Sequence, residues 1–236
     1  MGIPKGISTP ARCGTVQREP RSRRGFCEKA SRLAQLSLFA DHSGGPEGLR
    51  YQPDFIDAAI EAELIAHLGA LPLQPFQFGA YEGKRRVASF GFRYDYGLRK
   101  LQEADPIPGW LTAVIRSVED FGGLPAGCVR QILCTEYDAG VGIGWHRDKP
   151  HFDKIFGLSL KASCKFRFRR PDGDRWQRFT LSAEPRSLYL MSGESRQVWE
   201  HSIPAVEQRR YSITFRTMKT DKAGIAYEPP STTLPG

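Results

Sequence analysis

The chain has no run of about 18 apolar residues, which excludes a transmembrane helix, and its N-terminus has no continuous apolar stretch of the secretory type. Cysteine is scarce. The five present, Cys13, Cys27, Cys128, Cys134 and Cys164, are odd in number and lack paired spacing, so they argue against a disulfide framework and for a reducing compartment. Cys134 and Cys164 fall in strand-like segments and are expected to be buried free thiols. No internal repeat is present, and no methionine lies between Met1 and Met191, so a shorter product needs a different start codon.

Acidic residues are few at one end. Residues 1–36 carry eight Lys and Arg against Glu19 and Glu28, a net of +6 out of +8 for the whole chain, so the basic character belongs largely to this segment. Its Gly, Pro, Ser and Arg content predicts a disordered tail. Residues 37–236 are expected to form a single domain, because 236 residues with 40% hydrophobic content suit one substantial core.

Within that domain helices come first and strands later. Asp54 to Leu71 places Ile60, Leu64, Ile65, Leu68 and Leu71 at helical spacing, with Asp57 suited to the first turn, and Pro108 to Phe121 repeats the pattern. His67, near the apolar stripe of the first helix, is expected to be structural or exposed. Strands are predicted over 129–137, 155–162, 164–170, 175–181, 186–191, 197–203 and 209–217, with a hairpin turn at Pro171 to Asp174. The expected class is α+β, mainly β: a double-stranded β-helix, or jelly roll, with the N-terminal helices packed on one sheet.

Chemistry concentrates in the second half. His146 and Asp148 are two residues apart, so in an extended strand they point the same way while Arg147 turns outward. With His201 arriving from another strand, they form the two-imidazole, one-carboxylate set of a non-haem iron(II) oxygenase. Gly142 and Gly144, just upstream, suit a tight turn or the close approach of a ligand. From Arg209 to Arg216 the sequence alternates, placing Arg210, Ser212, Thr214 and Arg216 on one face. Buried guanidiniums there call for carboxylates, and a dicarboxylic acid satisfies them through paired hydrogen bonds.

These motifs, in this order and spacing, resemble the AlkB-type iron(II) and 2-oxoglutarate dependent dioxygenases. The matching stretches run from Leu38-Phe39-Ala40-Asp41 through Tyr137, His146 to Lys149 and Ser192 to Arg196, as far as Arg210 to Arg216. The resemblance implies His146, Asp148 and His201 as ligands of Fe(II). It implies Tyr137 and Arg210 on the distal carboxylate of 2-oxoglutarate, with O2 as oxidant and Arg216 near the metal-binding end or the substrate. Thr135 and Ser212 stand where the family often has asparagine, and both keep a hydrogen-bond donor. Pro150 replaces an acidic residue that several members place near the substrate base.

By the same resemblance, residues 76–98 form a nucleotide-recognition lid over a core at 129–217. Tyr94, Arg86, Arg147 and Lys149 are candidate contacts to substrate. Arg167 and Arg169 are weaker candidates for phosphate, and His151 is not expected to be a ligand. The implied activity is oxidative demethylation of 1-methyladenine or 3-methylcytosine in DNA or RNA, single- or double-stranded. No membrane and no obligatory protein partner is inferred, and a chain of this kind is expected in a bacterial cytoplasm. Two rivals stand beside it: an oxygenase of a tRNA base or protein side chain, and a non-catalytic metal-containing module that binds nucleic acid.

Overall fold

A computed structural model describes residues 45–219 except 79, 96 and 99. The basic segment, the 36/37 boundary, Cys13 and Cys27 lie outside the described residues.

Strand β1 (Leu49–Gln52) leads into helix α1 (Ala58–Ala70), and Asp57 caps that helix by accepting a hydrogen bond from the Ile60 amide at 2.8 Å. An N-cap of this type contributes about 1 kcal/mol. α1 turns Leu64 and Leu68 inward. Strands β2 (Gln74–Phe78), β3 (Tyr81–Phe90), β4 (Phe92–Asp95) and β5 (Lys100–Glu103) follow, then a 3-10 turn and helix α2 (Thr112–Gly122). α2 buries Val114, Val118 and Glu119, and the Glu119 carboxylate accepts a hydrogen bond from the Val129 amide at 2.9 Å, which ties the helix to the first residue of the next strand. His67 stacks on Trp110 with ring centroids 4.7 Å apart, a structural role.

The remaining elements are β6 (Val129–Tyr137), β7 (Ile143–His146), β8 (Phe152–Leu160), β9 (Cys164–Asp172), β10 (Arg175–Ala183), β11 (Leu188–Met191), a short helix α3 (Gly193–Gln197), β12 (Glu200–Ile203) and β13 (Arg210–Met218). They form a seven-stranded sheet, β1-β11-β8-β13-β6-β3-β2, and a four-stranded sheet, β10-β9-β12-β7, with β4 and β5 as a separate pair. The strands pair antiparallel throughout. This is the mainly β, jelly-roll architecture the strand spacing predicts.

There are two cores. Leu64, Leu68, Val114 and Val118 of the helices meet Ile132, Phe156, Leu158, Ile213 and Phe215 of the larger sheet. Between the sheets, Ile155 and Met191 face Phe166, Phe168, Leu181 and Ile203. Every alternate residue of β13 is therefore enclosed, one set by the helices and the other by the smaller sheet. Gly157 serves the second layer by close approach, because a Cβ there would fall 2.1 Å from the ring of Tyr189.

Some boundaries differ from the periodicity. Residues 193–197 form α3 between two expected strands and take in Gln197, the first residue of the strand expected at 197–203, because Ser192 and Ser195 exchange hydrogen bonds in a capping box that starts a helical turn. Strand β8 begins at Phe152 and ends at Leu160, since Lys161 adopts a φ of 74° that stops extended pairing. The region expected as a lid is divided. β3 is fixed into the larger sheet by pairing Arg86 to Phe90 with β6, and Phe92 onward forms the separate β4–β5 pair.

Candidate active site

His146 ends β7 and His201 lies on β12, and the two are direct cross-strand partners with ring centroids 4.3 Å apart. Asp148 stands two residues past the end of β7, so a loop and not strand alternation carries it to the imidazoles. Its Oδ2 is 3.4 Å from His201 Nε2, and one ligand atom from each of the three residues lies within 4.8 Å of the others. His146 Nδ1 is 2.9 Å from the Gly144 carbonyl oxygen. A carbonyl only accepts, so Nδ1 carries the proton and donates, which leaves the Nε2 lone pair for a metal.

Glycines upstream act on this loop by packing. A Cβ at Gly142 would lie 2.5 Å from the Ile203 carbonyl oxygen, so the close approach expected there is made by the backbone after β12 and not by a ligand.

Burial, followed by the neighbouring His201, pushes the His146 pKa down to about 4, and the ring is neutral and able to coordinate at pH 7. Burial acts to raise the pKa of Asp148, but Arg216 and both imidazoles outweigh it and hold the carboxyl well below its ordinary value. The Arg216 guanidinium donates to Asp148 Oδ1 at 2.7 Å and to Gln131 Oε1 at 2.8 Å, and its carbon sits 5.0 Å from the centre of the Phe152 ring. Arg216 is thus bound to the triad itself.

Arg196, buried on α3, donates to the carbonyl oxygens of Lys149 at 2.5 Å and Phe152 at 3.0 Å. It pins the loop that positions Asp148. Arg196→Met is expected to weaken ferrous-ion affinity about 10- to 100-fold, the usual effect of losing a group that orients a ligand. Anaerobic iron titration of the two proteins checks this.

Arg210 and Tyr137 are paired across β13 and β6, as are Ser212 and Thr135. The Arg210 guanidinium stacks 5.0 Å from the centre of the Tyr137 ring and donates to Ser159 Oγ at 3.0 Å. Its Nε and Nη1 are buried with no hydrogen-bond partner. Leaving two charged N–H donors buried and unpaired costs free energy, and a carboxylate is a strong acceptor for either of them.

A cavity of about 630 Å³ opens over the triad. Tyr137, Thr135, Tyr189, Gln131 and Arg216 line its interior, and Phe76, Lys84, Arg85, Arg93, Tyr94, Arg147 and Lys149 complete its walls. Arg210 and Ser212 are not in the wall. Lys149 Nζ lies 4.4 Å from the centre of the Tyr94 ring, and the Arg85 guanidinium lies 4.0 Å from that of Phe76. His151 is outside the ligand cluster and stacks against Tyr94.

One substrate candidate is corrected. Arg86 does not line the cavity; its Nε donates to Glu136 at 2.8 Å, and Glu136 is nearly fully buried. Alternation along β3 puts Arg85 on the cavity side and Arg86 on the other. Residues the sequence did not single out are Gln131, Ser159, Tyr189 and Arg196. Only Arg196 had a local signal, its place in the Ser192 to Arg196 run.

The profile of the 2OG-Fe(II) oxygenase superfamily matches residues 48–216. The chain belongs to that superfamily. This oxygenase is 28% identical over 216 residues to the alkylated DNA repair protein ALKBH8 homolog of Arabidopsis thaliana, covering 76% of this chain and 61% of that protein. To the RNA demethylase ALKBH9B of the same plant it is 28% identical over 161 residues, 61% of this chain and 32% of that one. It therefore spans less than two thirds of the length of either relative. The structure of OsALKBH1 superposes with a TM-score of 0.54 at 17% identity, covering 73% of this chain and 97% of that one, a likeness of fold.

The protein is thus an AlkB-like dioxygenase, whose family uses ferrous iron, 2-oxoglutarate and O2. Its residues fit that set. Three metal-ligating side chains converge within 4.8 Å, two of them from facing strands, and a buried guanidinium with two orphaned nitrogens stands on the adjoining sheet.

Proposed function

We propose that the protein oxidatively removes small alkyl groups from nucleobases within a nucleic-acid strand. One observation carries this reading: Lys84, Arg85, Arg93, Arg147 and Lys149 surround the cavity together with Phe76 and Tyr94, and Asp148 is the only carboxylate among its described lining residues. Cations beside aromatic rings suit phosphate contact and base stacking. The names of the relatives, which speak of alkylated DNA repair and of RNA demethylation, support nucleic acid as substrate and leave both sugars in play.

In this reading His146, Asp148 and His201 hold the ferrous ion. Arg210 and Tyr137 hold the far carboxylate of 2-oxoglutarate, with Thr135 and Ser212 beside them. Bound iron with 2-oxoglutarate and O2 supplies the power to hydroxylate an N-alkyl carbon, with release of succinate and carbon dioxide. The chain's own work is positioning. Phe76 and Tyr94 stack on an unpaired or flipped base, the surrounding cations hold its flanking phosphates, and Phe152, Ile155 and Met191 keep the floor of the cavity dry. A hydroxymethyl product then loses formaldehyde as its nitrogen–carbon bond breaks.

The DNA and RNA forms of 1-methyladenine and 3-methylcytosine are the first substrates to test. A second reading, oxidation of an uncharged tRNA base, is favoured by Pro150: both of those methylated bases are cations, and no acidic side chain stands at that position to meet them. Incubation of the iron-loaded enzyme with oligonucleotides bearing cationic or neutral methylated bases, and with methylated peptides, separates these. Formaldehyde and succinate in equal amounts from any oligonucleotide support the reading. Turnover of the peptides alone ends it.

A further inference from the structure

The smaller sheet has an outer face that the chemistry above does not use. Cross-strand register sets Thr180, Arg167 and Ser202 in one row and Arg178, Arg169 and Glu200 in the next. Trp145 on β7 and Trp176 on β10 stand at opposite edges of this sheet. The Arg169 guanidinium reaches both, 4.4 Å from the centre of the Trp145 ring and 4.3 Å from that of Trp176, while its Nε donates to Glu200 at 2.7 Å. Arg167 adds a second cation 5.1 Å from Trp145. A row of indole, guanidinium and indole thus joins the two edge strands of the sheet through Arg169.

Two features distinguish this row from a sheet brace. Trp176 is 40% exposed although Arg169 covers one side of its ring, and Arg178, two residues along the same strand and on the same face, is exposed beside it. Glu200 neutralises Arg169 but leaves the other cations in excess. The face is also continuous with the active site, since Trp145 belongs to the cavity wall and is followed at once by His146 and Arg147.

We infer that this face is a second contact for a single strand of nucleic acid, which leaves the cavity over Trp145 and crosses the sheet to Trp176, with Arg167 and Arg178 on its phosphates. The inference rests on the nucleic-acid reading of the cavity and extends it. Bases stack on the exposed indole whatever their identity, so the face adds affinity and length preference without sequence choice. Arg169 is a positioning residue: paired with Glu200, it holds both rings in place.

The test is binding of labelled, unmodified single-stranded RNA and DNA of about 12 nucleotides to the full chain, followed by fluorescence anisotropy at several salt concentrations. The Trp176→Ala, Arg178→Glu protein is expected to raise Kd about tenfold or more. The slope of log affinity on log salt should fall by about 0.7 for each phosphate no longer held. Trp176→Phe keeps a stacking surface and should stay within about threefold of wild type. Binding of the double variant within about twofold of wild type overturns the inference. So does equal loss in Trp176→Phe and the single variant Trp176→Ala, or wild-type binding to heparin as tight as to the oligonucleotides, because plain charge attraction then explains the result. No alkylated base is present, so binding through this face by a protein that dealkylates nothing overturns the substrate reading alone.

Discussion

Replacing Arg210 with methionine is expected to raise the KM for 2-oxoglutarate roughly a hundredfold, since truncating one member of a buried charge pair costs about 2–5 kcal/mol. The expectation comes from the state of its fork. Arg210 is 1% exposed and makes one hydrogen bond, to Ser159, while Nε and Nη1 have none. In the ligand-free protein that arrangement is a cost, so Arg210→Met should be no less stable than wild type. With metal and 2-oxoglutarate the order reverses. A ligand at about a hundred times its Kd stabilises the wild type by about 2.7 kcal/mol, and at the same concentration the variant gains almost nothing. Arg210→Lys should behave as the methionine variant does, because a single ammonium cannot serve both Ser159 and a carboxylate from the positions of the separate guanidinium nitrogens. Thermal denaturation with and without co-substrate, and succinate formation across its concentration range, check both parts. An unchanged KM removes Arg210 from the co-substrate site.

The second large effect falls on Asp148. Asp148→Ala should abolish ferrous binding and reduce succinate formation by at least about a thousandfold, or about 4 kcal/mol, and it should also destabilise the fold. The carboxylate neutralises Arg216, whose side chain is 11% exposed, so its removal strands a buried cation at a cost of about 3–5 kcal/mol. Asp148→Asn separates the two roles. Its amide oxygen still accepts the hydrogen bond from Arg216, so stability should fall less, while the loss of charge still weakens the metal. Anaerobic iron titration and urea denaturation of both variants decide the matter. An Asp148→Ala protein that forms succinate within about tenfold of the wild-type rate would sink the assignment of the triad and favour a binding module over an enzyme.

How much of this was legible in the residues follows their range of interaction. Strands β6 and β13 were readable because alternation is local, and β6 is found over the residues predicted. The pairing of Arg210 with Tyr137, and of Ser212 with Thr135, follows once those strands are neighbours. Arg86 was misplaced for a reason of the same kind. Alternation says that Arg85 and Arg86 face opposite ways, but not which of them faces the metal. Packing against β6, after a shift of register between Pro75 and Phe76, makes that choice and sets Arg86 against Glu136. The strand expected at 197–203 starts only at Glu200, because Gln197 ends α3 and Val198 caps it.

Gln131, Tyr189 and Arg196 escaped notice because each acts through a group remote in sequence. Gln131 serves Arg216, 85 residues away, and Arg196 serves carbonyls 44 and 47 residues away. Of the three, only Arg196 carries a local signal, its place in the Ser192 to Arg196 run.

The sequence by itself determined the order of the ligating side chains, the alternation of the strands that carry the arginines, and the mainly β class, because each depends on the chemistry and spacing of residues near one another. Only the tertiary structure decided that His146 and His201 are cross-strand partners, that Arg216 holds Asp148, that Arg196 holds the loop behind it, and that two tryptophans line up through Arg169. Those depend on sheet register and on which faces are buried together, and both are set by the packing of the whole domain.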